Sequence, residues 1–392
     1  MPVSEKIKVF MERSSWIRKM FEEGAKLKKE HGADKVFDFS LGNPNVEPTA
    51  EVKQALREAA GSSQPGVHAY MPNAGYPDVR AAVARKITED EGVEIGGDFI
   101  VMTVGAGGGL NVALKTILNP GDEVIVLKPY FVEYGFYLDN HGGKAVPVPT
   151  KEDFSPDLYA IEQAINSNTA GVLVNSPNNP TGKVYGEAEI RGLADLLDRK
   201  SKEIGRRIVL ISDEPYRGIV YDGVVVPSIL KAYPHSIVVT SFSKDLSLPG
   251  ERIGYIALNP AMEDAGSVMD GLVLCNRILG FVNAPALAQR AVGKCLRSLV
   301  DVGIYKGRRD KLYSALTSFG YECVKPEGAF YLFPKSPIPD EVTFVGLLQK
   351  KLILTVPGTG FGAPGFFRIA YCVSDETIEG ALAGFEAAIK EL

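Results

Sequence analysis

Five short apolar segments rich in β-branched residues constrain the fold of this chain more than any other feature. They occupy residues 99–103, 122–127, 171–175, 207–212 and 237–240. Apolar segments of this length, separated by helical patterns, are typical of strands that are buried on both faces of a parallel sheet. The sequence therefore predicts an α/β fold whose large domain contains a mainly parallel sheet between helices.

Polar, aromatic or glycine-rich residues follow each of these segments. In open α/β sheets, ligands bind outside the carboxyl ends of the strands. We therefore expect one binding site at that edge of the sheet. The residues that follow the strands are the glycine-rich turn 105–109, Tyr130 and Phe131, the segment 176–182, the group Asp213, Glu214 and Tyr216, and Lys244.

Lys244 lies on a loop between the segment 237–240 and Arg252. An ammonium group placed against apolar strands and near another cation is poorly solvated, which favours the neutral amine that can attack a carbonyl carbon. Ser241, Ser243 and Arg252 would supply donors for a phosphate held beside an aldehyde. Taken alone, a serine-rich loop with one lysine also fits an ordinary solvated turn.

The glycine-rich turn 105–109 precedes a predicted helix over residues 110–118. Backbone N–H groups at the start of a helix form a ready anion site. The turn lacks the Gly-Lys-Ser/Thr of a Walker loop, and Leu110 occupies the place of the third glycine in G-x-G-x-x-G. These differences disfavour a dinucleotide fold, and with it a nicotinamide-dependent dehydrogenase, but leave a phosphate site open.

Composition excludes several classes of protein. The net charge of −5 and pI near 5.6 provide no basic surface for nucleic acid. The four cysteines are far apart and no histidines cluster, so the sequence indicates neither a metal site nor a disulfide framework. Glu5 and Glu12 interrupt the N-terminal region, and no apolar run reaches membrane-spanning length. We expect a soluble, cytoplasmic protein.

Two domains are predicted. An amphipathic helix over residues 14–29 and a strand over 36–40 precede the large domain. Beyond residue 255 the pattern changes to helices at 287–300 and 303–319 and strands at 328–333 and 366–370, which indicates a smaller α+β domain. We place the large domain at residues 46–284, and the small domain at residues 1–45 together with 285–392.

Five motifs, in their order along the chain, resemble the pyridoxal-phosphate (PLP) aminotransferases of fold type I, the aspartate aminotransferase superfamily. The resemblance covers nearly the whole chain and implies transfer of an amino group between an L-amino acid and a 2-oxo acid, usually 2-oxoglutarate. The motifs are the glycine-rich turn 105–109, Asn-Asn-Pro-Thr-Gly at 178–182, Asp-Glu-Pro-Tyr at 213–216, Ser-Phe-Ser-Lys at 241–244 with Arg252 eight positions on, and Phe-Arg-Ile-Ala at 367–370.

The resemblance implies a role for each residue around the cofactor ring. Lys244 resembles the lysine that holds PLP as a Schiff base and later moves the proton of the substrate Cα. Asp213 would pair with the protonated pyridine nitrogen and keep the ring an electron sink. Asn179 and Tyr216 would donate to the 3′-oxygen. Phe131 is the expected stacking aromatic, with Tyr130 as the second choice.

By the same resemblance, the phosphate would be bound jointly by two subunits, so the protein would be a homodimer with shared active sites. Gly107, Gly108 and Gly109 replace the polar side chains that many family members carry in this loop, so part of the phosphate binding would depend on backbone alone. The expected phosphate ligands are the amides of Ala106, Gly107 and Gly108, the side chains of Ser241 and Arg252, and Tyr70 from the partner subunit.

Arg368 resembles the arginine that binds the substrate α-carboxylate as a bidentate fork, with Gly42 and Asn179 beside it. Acidic-substrate members carry a further arginine shortly before an Asn-Pro-like turn, and Arg277 stands about one residue out of that register. This shift in register favours the alternative that Arg277 is a helix-end or interface charge. We expect broad specificity, in which aspartate or glutamate is accepted alongside neutral or aromatic amino acids.

Two alternatives share these motifs. A PLP-dependent lyase on the same fold would use the same residues, but it would release ammonia or an eliminated group without needing an oxo acid. A PLP-binding effector domain of a transcription regulator would need an added DNA-binding domain, whereas this chain starts with the aminotransferase-like N-terminal helix.

Overall fold

A seven-stranded sheet forms the centre of the larger part of the molecule in the computed structural model, which describes residues 3–12 and 16–392. The strands in these residues are β1 (Phe37–Asp38), β2 (Ile100–Thr103), β3 (Glu123–Lys128), β4 (Lys144–Pro149), β5 (Thr169–Asn175), β6 (Val209–Asp213), β7 (Ser236–Ser241), β8 (Gly254–Leu258), β9 (Tyr331–Leu332), β10 (Ile353–Leu354), β11 (Val356–Pro357) and β12 (Phe367–Ala370).

The α-helices of the same residues surround these strands. They are α1 (Glu5–Glu12), α2 (Trp16–His31), α3 (Ala50–Ala60), α4 (Pro77–Glu91), α5 (Gly105–Ile117), α6 (Glu133–Asn140), α7 (Leu158–Ala164), α8 (Glu187–Ile204), α9 (Ile229–Ala232), α10 (Ala265–Ile278), α11 (Ala286–Val292), α12 (Val302–Phe319), α13 (Glu341–Lys350) and α14 (Asp375–Lys390). None of them has the length and apolar composition needed to span a bilayer.

The large sheet has the order β2-β8-β7-β6-β5-β3-β4. Strand β8 pairs antiparallel with β2 and β7, and the other pairs are parallel. Every residue of β5 and β7 is buried, because helices cover both faces of the sheet. The predicted α/β fold with a mainly parallel sheet is therefore confirmed.

Two strands of this sheet, β4 and β8, are not among the five apolar segments identified in the sequence, although β8 is itself apolar and mostly buried. Strand β4 is an edge strand with two prolines and mostly exposed or half-buried residues, so it lacks a continuous apolar run. Strand β8 follows the loop that contains Lys244, and it returns antiparallel to β7.

Two helices differ in length from the prediction. Helix α5 begins at Gly105 and not at Leu110, so the glycine-rich segment forms its first turns. A Cβ added at Gly109 would lie 2.7 Å from a methyl carbon of Val239, so close packing on β7 requires a residue without a side chain there. Helix α11 ends at Val292, where Gly293 follows, and it packs on α3 with the core of the large sheet.

A smaller α+β part follows, as predicted. Strands β11, β12 and β9 form an antiparallel sheet, and β1 pairs in parallel with β10. Their core contains Met20 and Phe39 from the N-terminal segment together with residues of α12, α13 and α14. The predicted N-terminal helix corresponds to α2, although its first two residues, 14 and 15, lie outside the described part of the chain.

Candidate active site

A cavity of about 390 Å³ opens at the carboxyl ends of β5, β6 and β7. Each of these strands contributes its last residue to the wall: Asn175, Asp213 and Ser241. The start of α5 and the first turns of α6 form a second wall, while Tyr331 of β9 and Arg368 of β12 line the cavity from the smaller sheet. The cavity therefore lies between the two parts of the molecule.

Most of the residues that the sequence predicts for the site line this one cavity. Gly108 does not line it, and an added Cβ there would face Val104 and Phe281. Tyr70 is 89% exposed and lies outside the cavity of its own chain. The residues that do line it are Gly42, Ala106, Gly107, Phe131, Asn179, Asp213, Tyr216, Ser241, Lys244, Arg252 and Arg368.

Lys244 is partly buried on the loop after β7. Its Nζ donates a hydrogen bond of 2.8 Å to the carbonyl oxygen of Gly42, and it lies 5.5 Å from the ring centre of Phe330. Burial lowers the pKa of Lys244 to about 8, and the positive charges of Arg368 and Arg252 also lower it. A large fraction of this amine is therefore neutral near pH 8, which is the form that attacks a carbonyl carbon.

Asp213 ends β6 with its carboxyl group buried. Its Oδ2 accepts a hydrogen bond of 2.5 Å from the hydroxyl of Tyr134, whereas its Oδ1 is buried without a hydrogen-bond partner. Burial raises the pKa of Asp213 to about 7, and the hydrogen bond from Tyr134 opposes that rise. A buried oxygen without a partner is unfavourable, so Oδ1 is suited to accept an N–H group of a ligand.

Arg368 presents a buried guanidinium group to the same cavity. Its Nη1 donates to Oδ1 of Asn179 at 3.0 Å and its Nη2 donates to the carbonyl oxygen of Ser40 at 2.6 Å. The group also lies 4.7 Å and 4.8 Å from the ring centres of Tyr331 and Phe361, which hold its plane. Its Nε has no partner, so a donor remains for a carboxylate.

Asn175 connects the backbone of Asp213 to Asn179, the partner of Arg368, through hydrogen bonds. Its Nδ2 donates to the carbonyl oxygen of Asp213 at 2.8 Å, and its Oδ1 accepts from the amide of Asn179 at 2.7 Å. Asn179 in turn accepts from Arg368. Asn175 is not among the predicted site residues. The signal that could identify it is a polar residue at the end of an otherwise apolar strand.

The N-terminus of α5 and Arg252 form the positively charged end of the cavity. Gly105 has a φ of +66°, and a Cβ added there would lie 2.9 Å from Nη2 of Arg252. Glycine therefore allows the guanidinium group to lie against the start of the helix. The amides of Ala106 and Gly107 lie in the first helical turn, where the backbone leaves N–H groups free for an anion. This end of the cavity suits a phosphate.

Three further tyrosines line the cavity, and none of them is among the predicted site residues: Tyr134, Tyr137 and Tyr331. The hydroxyl of Tyr331 lies 2.7 Å from that of Tyr216, and burial raises the pKa of Tyr331 to about 12. Burial also raises the pKa of Tyr137 to about 12. Tyr134 and Tyr137 follow Phe131 at three-residue spacing, which is the helical signal that could identify them.

Comparison with known proteins supports this description. The family described as aminotransferase class I and II matches residues 34–385. A probable aspartate/prephenate aminotransferase of Thermus aquaticus is 35% identical over 360 residues, which cover 90% of this chain and 91% of that protein. The crystal structure of an aminotransferase from Eubacterium rectale has 40% sequence identity and a TM-score of 0.96, and the match covers 100% of this chain and 99% of that chain.

A second solved structure is the aspartate aminotransferase of Thermus thermophilus with maleate, which is 30% identical with a TM-score of 0.87 over 99% of this chain and 100% of that chain. Family, sequence and structure thus agree over nearly the whole length, and the resemblance that rests on five motifs is confirmed. Enzymes of this family generally use PLP. The chain belongs to the class I and II aminotransferase family and is an aminotransferase.

Proposed function

We propose that this enzyme uses PLP bound to Lys244 to move an amino group between an L-amino acid and a 2-oxo acid, with 2-oxoglutarate as the usual acceptor. The observation that carries the proposal is that one cavity is lined by the amine of Lys244, whose pKa is lowered to about 8, and by two buried polar atoms without a hydrogen-bond partner. The two atoms are Oδ1 of Asp213 and Nε of Arg368.

The cavity matches the chemical groups of PLP one by one. Lys244 would hold the aldehyde carbon, and Oδ1 of Asp213 would accept the ring N–H. Asn179 and Tyr216 would donate to the 3′-oxygen, and Phe131 would cover one face of the ring. When bound, PLP supplies a ring that withdraws the electrons left by the broken Cα–H bond.

The phosphate would lie at the positively charged end of the cavity. Ala106 and Gly107 offer backbone amides there, and Arg252 offers a guanidinium group that already lies against the helix start. Ser241, the last residue of β7, is buried and lines the same cavity. The role of the Gly108 amide, one residue further along α5, as a phosphate ligand remains a prediction.

The substrate would be bound and deprotonated by two side chains. Arg368 would bind the α-carboxylate, because its guanidinium plane is held by Tyr331 and Phe361 and its Nε is free. Gly42, which lines the same cavity, would lie beside the bound carboxylate. Nζ of Lys244 would accept the Cα proton and return it, a role that suits an amine whose pKa is lowered to about 8.

We also propose a homodimer with shared active sites. Tyr70 is 89% exposed, and Leu274 and Ile278 on α10 are 46% and 54% exposed, so these side chains are accessible to a second copy of the chain. Contact with a second copy would cover them, and it would bring Tyr70 to the phosphate of that copy. Arg277 is exposed on the last turn of α10 and lies outside the cavity of its own chain.

For the substrate side chain we propose broad specificity that includes aspartate and glutamate. The Thermus aquaticus relative is called a probable aspartate/prephenate aminotransferase, and the Thermus thermophilus aspartate aminotransferase was solved with maleate, a dicarboxylate. In the described residues, the Lys and Arg side chains that line the cavity are Lys244, Arg252 and Arg368, and each already has a proposed role. A second carboxylate would therefore need a cation from another copy, for which Arg277 is the candidate.

The test is the variant Lys244→Ala. We expect wild-type enzyme to show the near-visible absorbance of bound PLP and attachment of the cofactor that borohydride makes permanent. Lys244→Ala should lose both properties and nearly all turnover, because no other group can replace this amine. A variant that keeps a reducible attachment would overturn the assignment. Release of ammonia by the wild type without any oxo acid would contradict transamination itself.

A further inference from the structure

The hydrogen bond between Tyr134 and Asp213 joins two elements that are distant in sequence. Tyr134 lies in the first turn of α6 and Asp213 ends β6, and the 2.5 Å bond between them is buried. In the described part of the chain, the carboxyl oxygens of Asp213 have no other hydrogen-bond partner. Tyr134 is therefore the side chain that determines which carboxyl oxygen stays free.

We propose that Tyr134 is a positioning residue for the cofactor: its hydroxyl occupies Oδ2 of Asp213, orients the carboxyl group and favours its ionised form, so that Oδ1 accepts the ring N–H. The inference rests on the proposed function, since it concerns the same cofactor. Tyr134 need not touch the ring, because it acts through Asp213.

Packing holds Tyr134 in place for this role. Its side chain is buried in the core between α5, α6 and the large sheet. Its ring meets that of Phe131 edge-to-face, with ring centres 5.6 Å apart and an angle of 84°. Phe131 is the proposed ring-stacking residue, so one helical turn would position both the face and the nitrogen of the cofactor ring.

The direction of the hydrogen bond follows from the acidities of the two groups. Burial raises the pKa of Tyr134 well above its usual range, and the nearby Asp213 raises it further, so the phenol keeps its proton and donates. A carboxylate that accepts such a bond is stabilised relative to its protonated form.

Other titratable groups lie around Asp213. Glu214 next to it raises its pKa, opposite to the effect of Tyr134. Tyr134 alone among these groups donates a hydrogen bond to the carboxyl group, so its removal should change both the geometry and the charge of Asp213. The groups around Asp213 are Tyr134 and Tyr137 on α6, Glu214 and Tyr216 after β6, and Lys244 and Arg252 after β7.

The experiment compares wild type with Tyr134→Phe, and uses Tyr233→Phe as a matched control, because the Tyr233 hydroxyl also donates a buried hydrogen bond, of 2.9 Å to the carbonyl oxygen of Ile208, but does not line the cavity. The dissociation constant of PLP is measured from pH 6 to 9 by titrating the apoenzyme. We expect Tyr134→Phe to bind PLP roughly 10- to 100-fold more weakly, as for the loss of a hydrogen bond to a charged group. We also expect the pH at which binding becomes half-maximal to rise, because Asp213 then holds its proton to higher pH.

The control and a double variant separate positioning from general stability. Tyr233→Phe should leave the pH midpoint of binding unchanged. In an Asp213→Asn background, adding Tyr134→Phe should weaken PLP binding by less than about threefold, because the group through which Tyr134 acts is already neutral.

Two results would overturn the inference. If wild type binds PLP and Tyr134→Phe shows the wild-type affinity and pH midpoint, Tyr134 has only a structural role and the inference alone fails. If Tyr134→Phe weakens binding equally in both backgrounds, it does not act through Asp213. A wild-type enzyme that binds no PLP would instead refute the proposed function, and the inference with it.

Discussion

Replacing Gly42 by alanine should weaken amino-acid binding, because this glycine lies closer to a tyrosine than a side chain allows. A Cβ at Gly42 would lie 2.0 Å from the hydroxyl oxygen of Tyr331 and 2.9 Å from the ring carbon that carries it. Ordinary contacts of a Cβ begin near 3.4 Å, so the hydroxyl group would have to move by about 1.4 Å. Tyr331 cannot move freely, since its hydroxyl forms a hydrogen bond with that of Tyr216 and its ring packs against Arg368.

The expected magnitude follows from the cost of overpacking a buried site, which is about 1–3 kcal/mol. If the displacement of Tyr331 disturbs the plane of Arg368, most of this free energy should appear as weaker binding of the substrate carboxylate. We therefore expect KM for the amino-acid substrate to rise roughly 5- to 150-fold, at about 1.4 kcal/mol per factor of ten. Steady-state kinetics and thermal unfolding of Gly42→Ala measure the two consequences.

A double variant and a control make this prediction specific. Tyr331→Phe removes the nearest clashing atom, so Gly42→Ala/Tyr331→Phe should bind substrate better than the product of the two single effects. Gly346→Ala on α13 meets no atom within 4 Å, and it should leave KM unchanged and raise stability by up to about 1 kcal/mol. If KM and unfolding temperature of Gly42→Ala match those of wild type, the reasoning from close approach is wrong.

Three further predictions address the dimer, the substrate and the pH dependence. Mixing Tyr70→Phe and Lys244→Ala subunits should restore activity above that of either pure variant, since hybrids contain one site with wild-type residues at both positions; activity no higher than the average of the two would contradict shared sites. If Arg277 pairs with the second carboxylate, Arg277→Ala should lower kcat/KM for aspartate more than for alanine, leucine or phenylalanine, by on the order of 2–5 kcal/mol in transition-state binding. A wild-type enzyme that strongly prefers aspartate would contradict broad specificity. The pKa of Asp213 is raised to about 7 in the folded apoenzyme, whereas the same carboxyl group loses its proton near pH 4 in the unfolded chain. The stability that this group contributes is therefore fully present below pH 4, and it is lost as the pH rises to 7. The free energy of unfolding of Asp213→Asn, measured with urea, should therefore increase relative to that of wild type as the pH rises from 4 to 7. If the difference between the two proteins is constant over that range, the raised pKa of Asp213 is refuted.

The sequence by itself determined the fold class and the edge of the sheet where the cavity lies. Buried parallel strands need continuous apolar residues, and the residue that follows each strand must lie at the same edge. Lys244 and Asp213 were therefore predictable as neighbours although they are 31 positions apart in the sequence. The start of α5 was not, since glycine is a weak helix former and only packing on β7 explains a helix there.

Only the tertiary structure decided how the side chains of the site hold each other. The bond from Tyr134 to Asp213, the link through Asn175, and the approach of Tyr331 to Gly42 each join residues on different elements. Periodicity reports which face of an element is buried, but it carries no information on which side chain of another element meets that face. Those contacts depend on the exact packing of helices on the sheet and of the smaller sheet on the larger one, which no local pattern encodes.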